Sequence, residues 1–176
     1  MIYIHTALKS EAQGIIEKYK LSKHIKDGFN YFANQDLILF VSGIGVENAQ
    51  TKTTLLLKLF EITINDTLLN IGICGANKSY QIGDIIAIDS IFYKDEQIIL
   101  NKRLQNNLTC LDLECSTDNY DLVDMESYGF YQASKELKNV KIFKIVSDHF
   151  EPEIITKEFT KKLIFNNIEK ILGKSK

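Results

Sequence analysis

Apolar positions along this chain fall into short β-branched runs separated by amphipathic stretches, the alternation of a sheet with helices packed upon it. Residues 2–6 read as a buried strand, and Ser10-Glu-Ala-Gln13 has the capping-box form that opens a helix running to about Tyr19. After a polar stretch containing Asp27-Gly28, residues 31–41 predict a hairpin turning at Asn34-Gln-Asp36. Ser42-Gly-Ile-Gly45 then leads into an amphipathic helix over 46–60. Residues 68–72 predict a strand followed by a small-residue turn, Gly72-Ile-Cys-Gly-Ala76. Two β segments, 85–89 and 90–93, are expected to bend at Asp89-Ser90 and to be followed by a turn at Asp95-Glu96 and a short strand over 97–100. A polar segment (101–107), a strand (108–115) and a loop, Ser116-Thr-Asp-Asn-Tyr120, come next.

Residues 122–148 say most. Residues 122–124 end a short apolar strand, 126–138 have helical composition, and 140–146 are β-branched and aromatic, together a βαβ unit. With its strands parallel, Met125-Glu126 and Ser147-Asp148 emerge at one carboxyl edge, where open α/β sheets bind ligands. A last amphipathic helix over 156–172 turns Phe159, Leu163, Ile164, Ile168 and Leu172 to the core, with Gly173 closing it and a frayed lysine-rich tail. The expectation is one domain, 1–176, of three-layer α/β/α form around a central mixed sheet, because a hairpin cannot be parallel.

Composition removes several functions. A formal charge of −2 leaves no basic footprint for nucleic acid or a membrane surface. No export signal or bilayer-length apolar run is legible, which gives a cytoplasmic expectation. Cys74, Cys110 and Cys115 lack metal spacing and read as three thiols, and His5, His24 and His149 suggest no triad, so no metal or cofactor is expected. Twenty of the 21 basic residues are lysine; Arg103 alone offers the bidentate grip usual for phosphate.

Acids and small residues follow the predicted strands: Glu11, Ser42 to Gly45, Gly72 to Ala76, Met125-Glu126 and Ser147-Asp148. Each alone has a plain reading, since a glutamate in a first helical turn offsets the dipole and an aspartate turns the chain. Together they describe a site for a small polar ligand. With no GxGxxG and no GxxxxGK[ST], dinucleotide and P-loop readings fall away.

The ordered series Ala7-Leu-Lys-Ser-Glu11, Ser42-Gly-Ile-Gly45, Gly72-Ile-Cys-Gly75, Gly83-Asp84, Ser116-Thr-Asp-Asn-Tyr120, Val123-Asp-Met-Glu-Ser127 and Ser147-Asp148 resembles that of the purine nucleoside phosphorylases and their related nucleosidases, most of all those acting on methylthioadenosine, S-adenosylhomocysteine or futalosine compounds. The resemblance implies cleavage of an N-glycosidic bond. It casts Asp148 as the acid that protonates the purine, oriented by Ser147, and Glu11 as the group that activates water. It casts Glu126 as acceptor for the ribose hydroxyls, with Met125 against the sugar, Ile44 near the 5′-substituent, Gly45 among the substrate-binding residues, Cys74 and Gly75 near the base and Tyr120 stacked on it. A donor acid must hold its proton when substrate arrives, which suits a partly dry crevice shared with other acids. The resemblance further implies a homodimer or higher homo-oligomer. Three departures stand out: only four residues separate Tyr120 from Met125, where relatives carry a longer insertion; Ile73 replaces a common serine; Lys144 replaces a common arginine. With its sole arginine, Arg103, in a polar segment away from every motif turn, the chain reads as a hydrolase, with phosphorolysis and an inactive nucleoside-binding relative as alternatives.

Overall fold

The structure, a computed structural model, describes residues 1–175. It is a three-layer α/β fold with a mixed central sheet, as expected. Strand β1 (Ile2–Thr6) feeds helix α1 (Lys9–Tyr19); β2 (Ser22–Lys26), β3 (Phe29–Ala33) and β4 (Leu37–Val41) form an antiparallel meander; and α2 (Val46–Phe60) leads to β5 (Thr67–Ala76). Then come β6 (Ile85–Ala87), β7 (Ser90–Tyr93), β8 (Glu96–Ile99), β9 (Asn107–Cys110), β10 (Leu122–Asp124), α3 (Ser127–Ser134), β11 (Val140–Asp148), a 3-10 turn (Pro152–Ile154) and α4 (Lys157–Ser175).

The central strands are buried on both faces, so alternate residues supply two separate cores. Phe40, Leu68, Ile142 and Val146 pack with Leu56 of α2 and Phe130 of α3. Leu39, Leu69, Ile71, Phe143 and Ile145 pack with Ile15 of α1 and with Ile164 and Ile168 of α4.

Several expectations need correcting. Helix α1 begins at Lys9 with Leu8 as its cap residue, and Glu11 reaches back to the free N–H groups, so Ser10-Glu-Ala-Gln13 is not the capping box. Residues 22–26, read as part of a polar loop, form β2, and Asp27-Gly28 is its two-residue turn, both with positive φ. The small-residue turn at 72–76 does not exist, because β5 runs straight through it to Ala76. Strand β9 stops at Cys110, Phe159 is exposed, and α4 continues past Gly173; the tail residue Lys176 lies outside the described residues.

The largest correction concerns the unit around α3. Strand β11 is parallel to β5, but β10 is antiparallel to it, so β10 and β11 run in opposite directions on either side of β5. That arrangement makes the site. Strand β1 pairs with residues 67–70 of β5 and β10 with residues 75–76, both on the edge that β11 leaves free. The two strands run toward each other and stop short, leaving an open stretch of β5 between their carboxyl ends.

Candidate functional site

Glu11 fills that gap. Its Oε1 accepts the Ile73 N–H at 2.9 Å, and its Oε2 accepts the N–H groups of Ala7 at 3.0 Å and Leu8 at 2.8 Å. One buried carboxylate thereby ties the β1–α1 turn to the open edge of β5. A Cβ at position 72 would stand 2.9 Å from Glu11 Oε1, so any residue but glycine there displaces that carboxylate. Burial pushes the Glu11 carboxyl above its ordinary range, while the three N–H groups and Lys144 pull it back.

Glu126 arrives from the opposite side, as the residue capping α3, and its Oε1 accepts the Gly45 N–H at 2.9 Å. Two features set that bond. Gly43 and Gly45 both have positive φ, which lets residues 42–45 turn sharply into α2. Gly129 of α3 lies directly against the Val46 carbonyl, where any side chain would overlap, so the starts of α2 and α3 cross at contact distance. Behind the loop, His5 Nε2 meets Ser42 Oγ at 2.8 Å and its Nδ1 meets Asn70 Nδ2 at 2.5 Å. Burial, with Lys144 nearby, lowers the His5 pKa to about 3, so this histidine is a neutral brace.

Beneath the two glutamates lies a pair that sequence reasoning missed. Lys144 Nζ sits 2.7 Å from Asp124 Oδ2, with both side chains buried, and Asp124 also accepts the N–H and hydroxyl of Ser127. Burial opposes the charge on Lys144, yet Asp124, Glu126 and Glu11 outweigh it and hold the ammonium well above its ordinary pKa. For Glu126, burial and then Asp124 push the carboxyl up to about 7 against the pull of Lys144 and the Gly45 N–H. A lysine inside the apolar run Ile142-Phe-Lys-Ile-Val146 was the available signal, because a lone buried ammonium requires a partner.

Asp148 closes the far end, beside Gly75, where the β5–β11 register slips. Its Oδ1 is 2.6 Å from Ser147 Oγ and its Oδ2 accepts the Glu151 N–H at 3.0 Å; Ser147 Oγ is also 3.1 Å from the Cys74 carbonyl. Glu11, Asp124, Glu126 and Asp148 all border one cavity of about 260 Å³, close to the lower end of the roughly 300–1,000 Å³ usual for small-molecule sites. Ile44, Cys74, Gly75, Met125 and Ser147 line it too. Gly45 touches it only through Glu126, and Tyr120 lies outside the lining; Leu111, Leu113, Glu114, Cys115, Pro152 and Ile155, none of them singled out from the sequence, form the outer wall. Cys74, Cys110 and Cys115 are free thiols, Arg103 borders a separate groove, and no described helix is long and apolar enough to cross a membrane.

Over 73 residues the chain is 40% identical to the 5′-methylthioadenosine/S-adenosylhomocysteine nucleosidase of Staphylococcus carnosus, which is 41% of this chain and 31% of that protein. The nucleosidase of the same description from Hydrogenovibrio crunogenus is 36% identical over 83 residues, 44% of this chain and 34% of its own. The matched stretch is thus about a third of the length of these curated relatives. The fold overlaps the Streptococcus pneumoniae nucleosidase solved with the transition-state inhibitor MT-ImmA at a TM-score of 0.81 and 18% identity, covering 99% of this chain and 97% of the other. It also overlaps futalosine hydrolase of Helicobacter pylori at 0.78 and 15%, covering 99% and 95%. At such identities the likeness is one of fold. The family model described as the Phosphorylase superfamily matches residues 2–108, more than half of the 176 residues, and to that superfamily the chain belongs.

Proposed function

We propose that the protein is a purine-nucleoside N-ribosyl hydrolase of the methylthioadenosine/S-adenosylhomocysteine or futalosine type. The observation that carries the reading is the meeting of Glu11, Glu126 and Asp148 on one cavity from three distant parts of the chain.

In this reading Asp148 donates its proton to purine N7 as the C1′–N9 bond breaks, and the bonding electrons leave with the base. Ser147 Oγ donates to Asp148 Oδ1 and the Glu151 N–H donates to Oδ2, so the carboxyl group is held in one orientation at the cavity. Glu126 has an oxygen beyond the one bound to Gly45 with which to accept the ribose hydroxyls and steady the positive charge growing on the sugar. Glu11 spends three of about four lone-pair sites on backbone N–H groups; the fourth, on Oε1, is left to take a proton from the water attacking C1′. The products are the free base and the free sugar.

Water is favoured over phosphate as nucleophile by the charge of the lining. Five acids, Glu11, Glu114, Asp124, Glu126 and Asp148, border the cavity, and no lysine or arginine does among the described residues. A phosphate dianion has no cation to meet there, and the Lys144 ammonium is taken up by Asp124. We extend the reading to a cytoplasmic protein of one domain, and to a homo-oligomer, which the resemblance implies.

The test is a panel of adenosine, methylthioadenosine, inosine and futalosine-type nucleosides in phosphate-free buffer, read by release of free base. Base release without phosphate is the expected result. A requirement for phosphate, with ribose 1-phosphate as product, would replace hydrolysis by phosphorolysis, and tight binding without release would make the protein a nucleoside-binding relative.

A further inference from the structure

The side chain of His5 is fully buried on the face of β1 that packs under α2 and α3, its ring centre 5.2 Å from that of Phe40 and 5.3 Å from that of Phe130. Its two nitrogens reach across the sheet, Nδ1 to Asn70 of β5 and Nε2 to Ser42 just past β4. The Ser42 hydroxyl has one proton and spends it on the Gly43 carbonyl at 2.6 Å. Toward His5 it can therefore only accept, which puts the single proton of the neutral ring on Nε2. Nδ1 is then the acceptor for the Asn70 amide. Every donor points the same way, from Asn70 through His5 and Ser42 to the Gly43 carbonyl. Because the serine proton is turned away from the ring, the three residues are not a nucleophile with its base.

That chain of donors ends in the turn which holds Glu126. The Ser42 and Gly43 N–H groups tie the turn to β1 at 3.0 and 3.1 Å, and Asn48 Nδ2 ties it to α2 by donating to the Ile44 carbonyl at 2.7 Å. The tie through His5 reaches α3 as well. Phe130, stacked on the imidazole at an interplanar angle of 28°, donates its N–H to the Glu126 carbonyl at 3.0 Å. One ring thus seats both partners of the Gly45–Glu126 bond, through Ser42 on one side and through Phe130 on the other.

We infer that His5 is a positioning residue for the sugar: it sets where the Gly45 N–H meets Glu126, and so how the other Glu126 oxygen faces the ribose hydroxyls. This rests on the nucleosidase reading. Glu126 faces Asp124 of β10, Lys144 of β11, Glu11 of α1 and the Gly45 N–H, and of these the N–H is the one placed by the turn that His5 seats. The Gly45 N–H favours the ionised carboxylate, so losing it raises the pH at which Glu126 becomes a charged acceptor for the sugar.

The test compares His5→Gln, whose amide reaches the place of Nε2, with His5→Asn, whose amide reaches only that of Nδ1, and with Ser42→Ala. Each is read by kcat/KM against pH on a nucleoside that the wild type cleaves, at a temperature where circular dichroism shows it folded. His5→Gln keeps the donor to Ser42 and is expected within about threefold of wild type. His5→Asn and Ser42→Ala should lose roughly tenfold near neutral pH, with the rising limb moved up by about one pH unit, since one charge-assisted hydrogen bond shifts an ionisation on the order of tenfold. Ser42→Ala removes a single oxygen and leaves the buried ring in place, so it carries the test where a His5 variant does not fold. If His5→Asn and Ser42→Ala keep the wild-type limb, or His5→Gln loses as much as His5→Asn, His5 only fills the core, and its positioning role is overturned while the nucleosidase reading stands. Release of base by the wild type from none of the nucleosides in the panel would overturn that reading and the positioning role with it.

Discussion

The Gly45 N–H and Glu126 Oε1 meet at 2.9 Å although 81 residues separate them. The bond joins the turn before α2 to the cap of α3, and it holds a carboxyl whose pKa burial and Asp124 push up to about 7. An acid with a raised folded-state pKa contributes stability that is present below its ordinary value near 4.5 and lost as pH climbs through about 7. The shift corresponds to about 3 kcal/mol. Glu126→Gln removes that loss. Urea denaturation should show the variant near wild type at pH 5 and more stable by up to about 3 kcal/mol at pH 8, while kcat/KM at pH 8 falls roughly 10- to 100-fold through the missing charged acceptor. An unchanged stability difference between the two pH values would show that Glu126 does not titrate in this range.

Asp148→Asn should separate chemistry from structure. The amide can donate to Ser147 Oγ, which passes its own proton to the Cys74 carbonyl, and the remaining oxygen accepts the Glu151 N–H, so every neighbour keeps a partner. The proton for the leaving base is gone. Turnover is expected to drop by about 10²- to 10⁴-fold with Tm nearly unchanged. Full turnover on any substrate that the wild type cleaves would remove Asp148 from the acid's role.

Glu11→Gln cannot be so clean, because both Glu11 oxygens already accept backbone N–H groups. In either orientation the amide NH₂ faces a donor, and one strand edge or turn loses its partner at a cost of about 1–3 kcal/mol. Loss of turnover should therefore come with a lower Tm, read by calorimetry beside the rate at a temperature where both proteins are folded. A variant with wild-type Tm and wild-type turnover would leave Glu11 neither clamp nor base.

How far the sequence foretold this site depended on whether each interaction was local. Helix α2 was legible to the residue, because a glycine turn precedes it and its apolar spacing lasts fifteen residues. Strand β2 was not, since every residue of Ser22–Lys26 is exposed and no alternation marks it, although Asp27-Gly28 was a turn signal in plain view. Gly72 and Gly75 invited a turn where the structure has a strand. Their glycines serve close approach instead: Glu11 stands over Gly72, while Val123, Phe150 and Asp148 crowd Gly75. The direction of β10 was unreadable because it is set by pairing with residues 75–76, far back in the chain. Glu126 and Asp148 nevertheless converge, by head-to-head strands and not by the parallel crossover expected. Tyr120 failed as a lining residue for a related reason: the segment after it is short, and the 111–115 stretch supplies the wall.

Lys144 is, among the described residues, the cation set among Asp124, Glu126 and Glu11, and its replacement should expose how much the site depends on it. Lys144→Met keeps much of the side-chain volume but leaves Asp124 buried without its 2.7 Å partner. Breaking such a pair from one side typically costs about 3–5 kcal/mol, more than the pair gains over an apolar replacement. The unopposed carboxylates also raise Glu126 further, so the rising limb of kcat/KM against pH should move to higher pH. Adding Asp124→Asn removes the stranded charge while keeping acceptor and donor groups for Ser127, and the double variant is expected to regain at least half of the lost stability in urea denaturation. If the single variant were as stable as wild type, or the double variant merely summed two losses, Lys144 would not be the counter-charge on which the three acids rely.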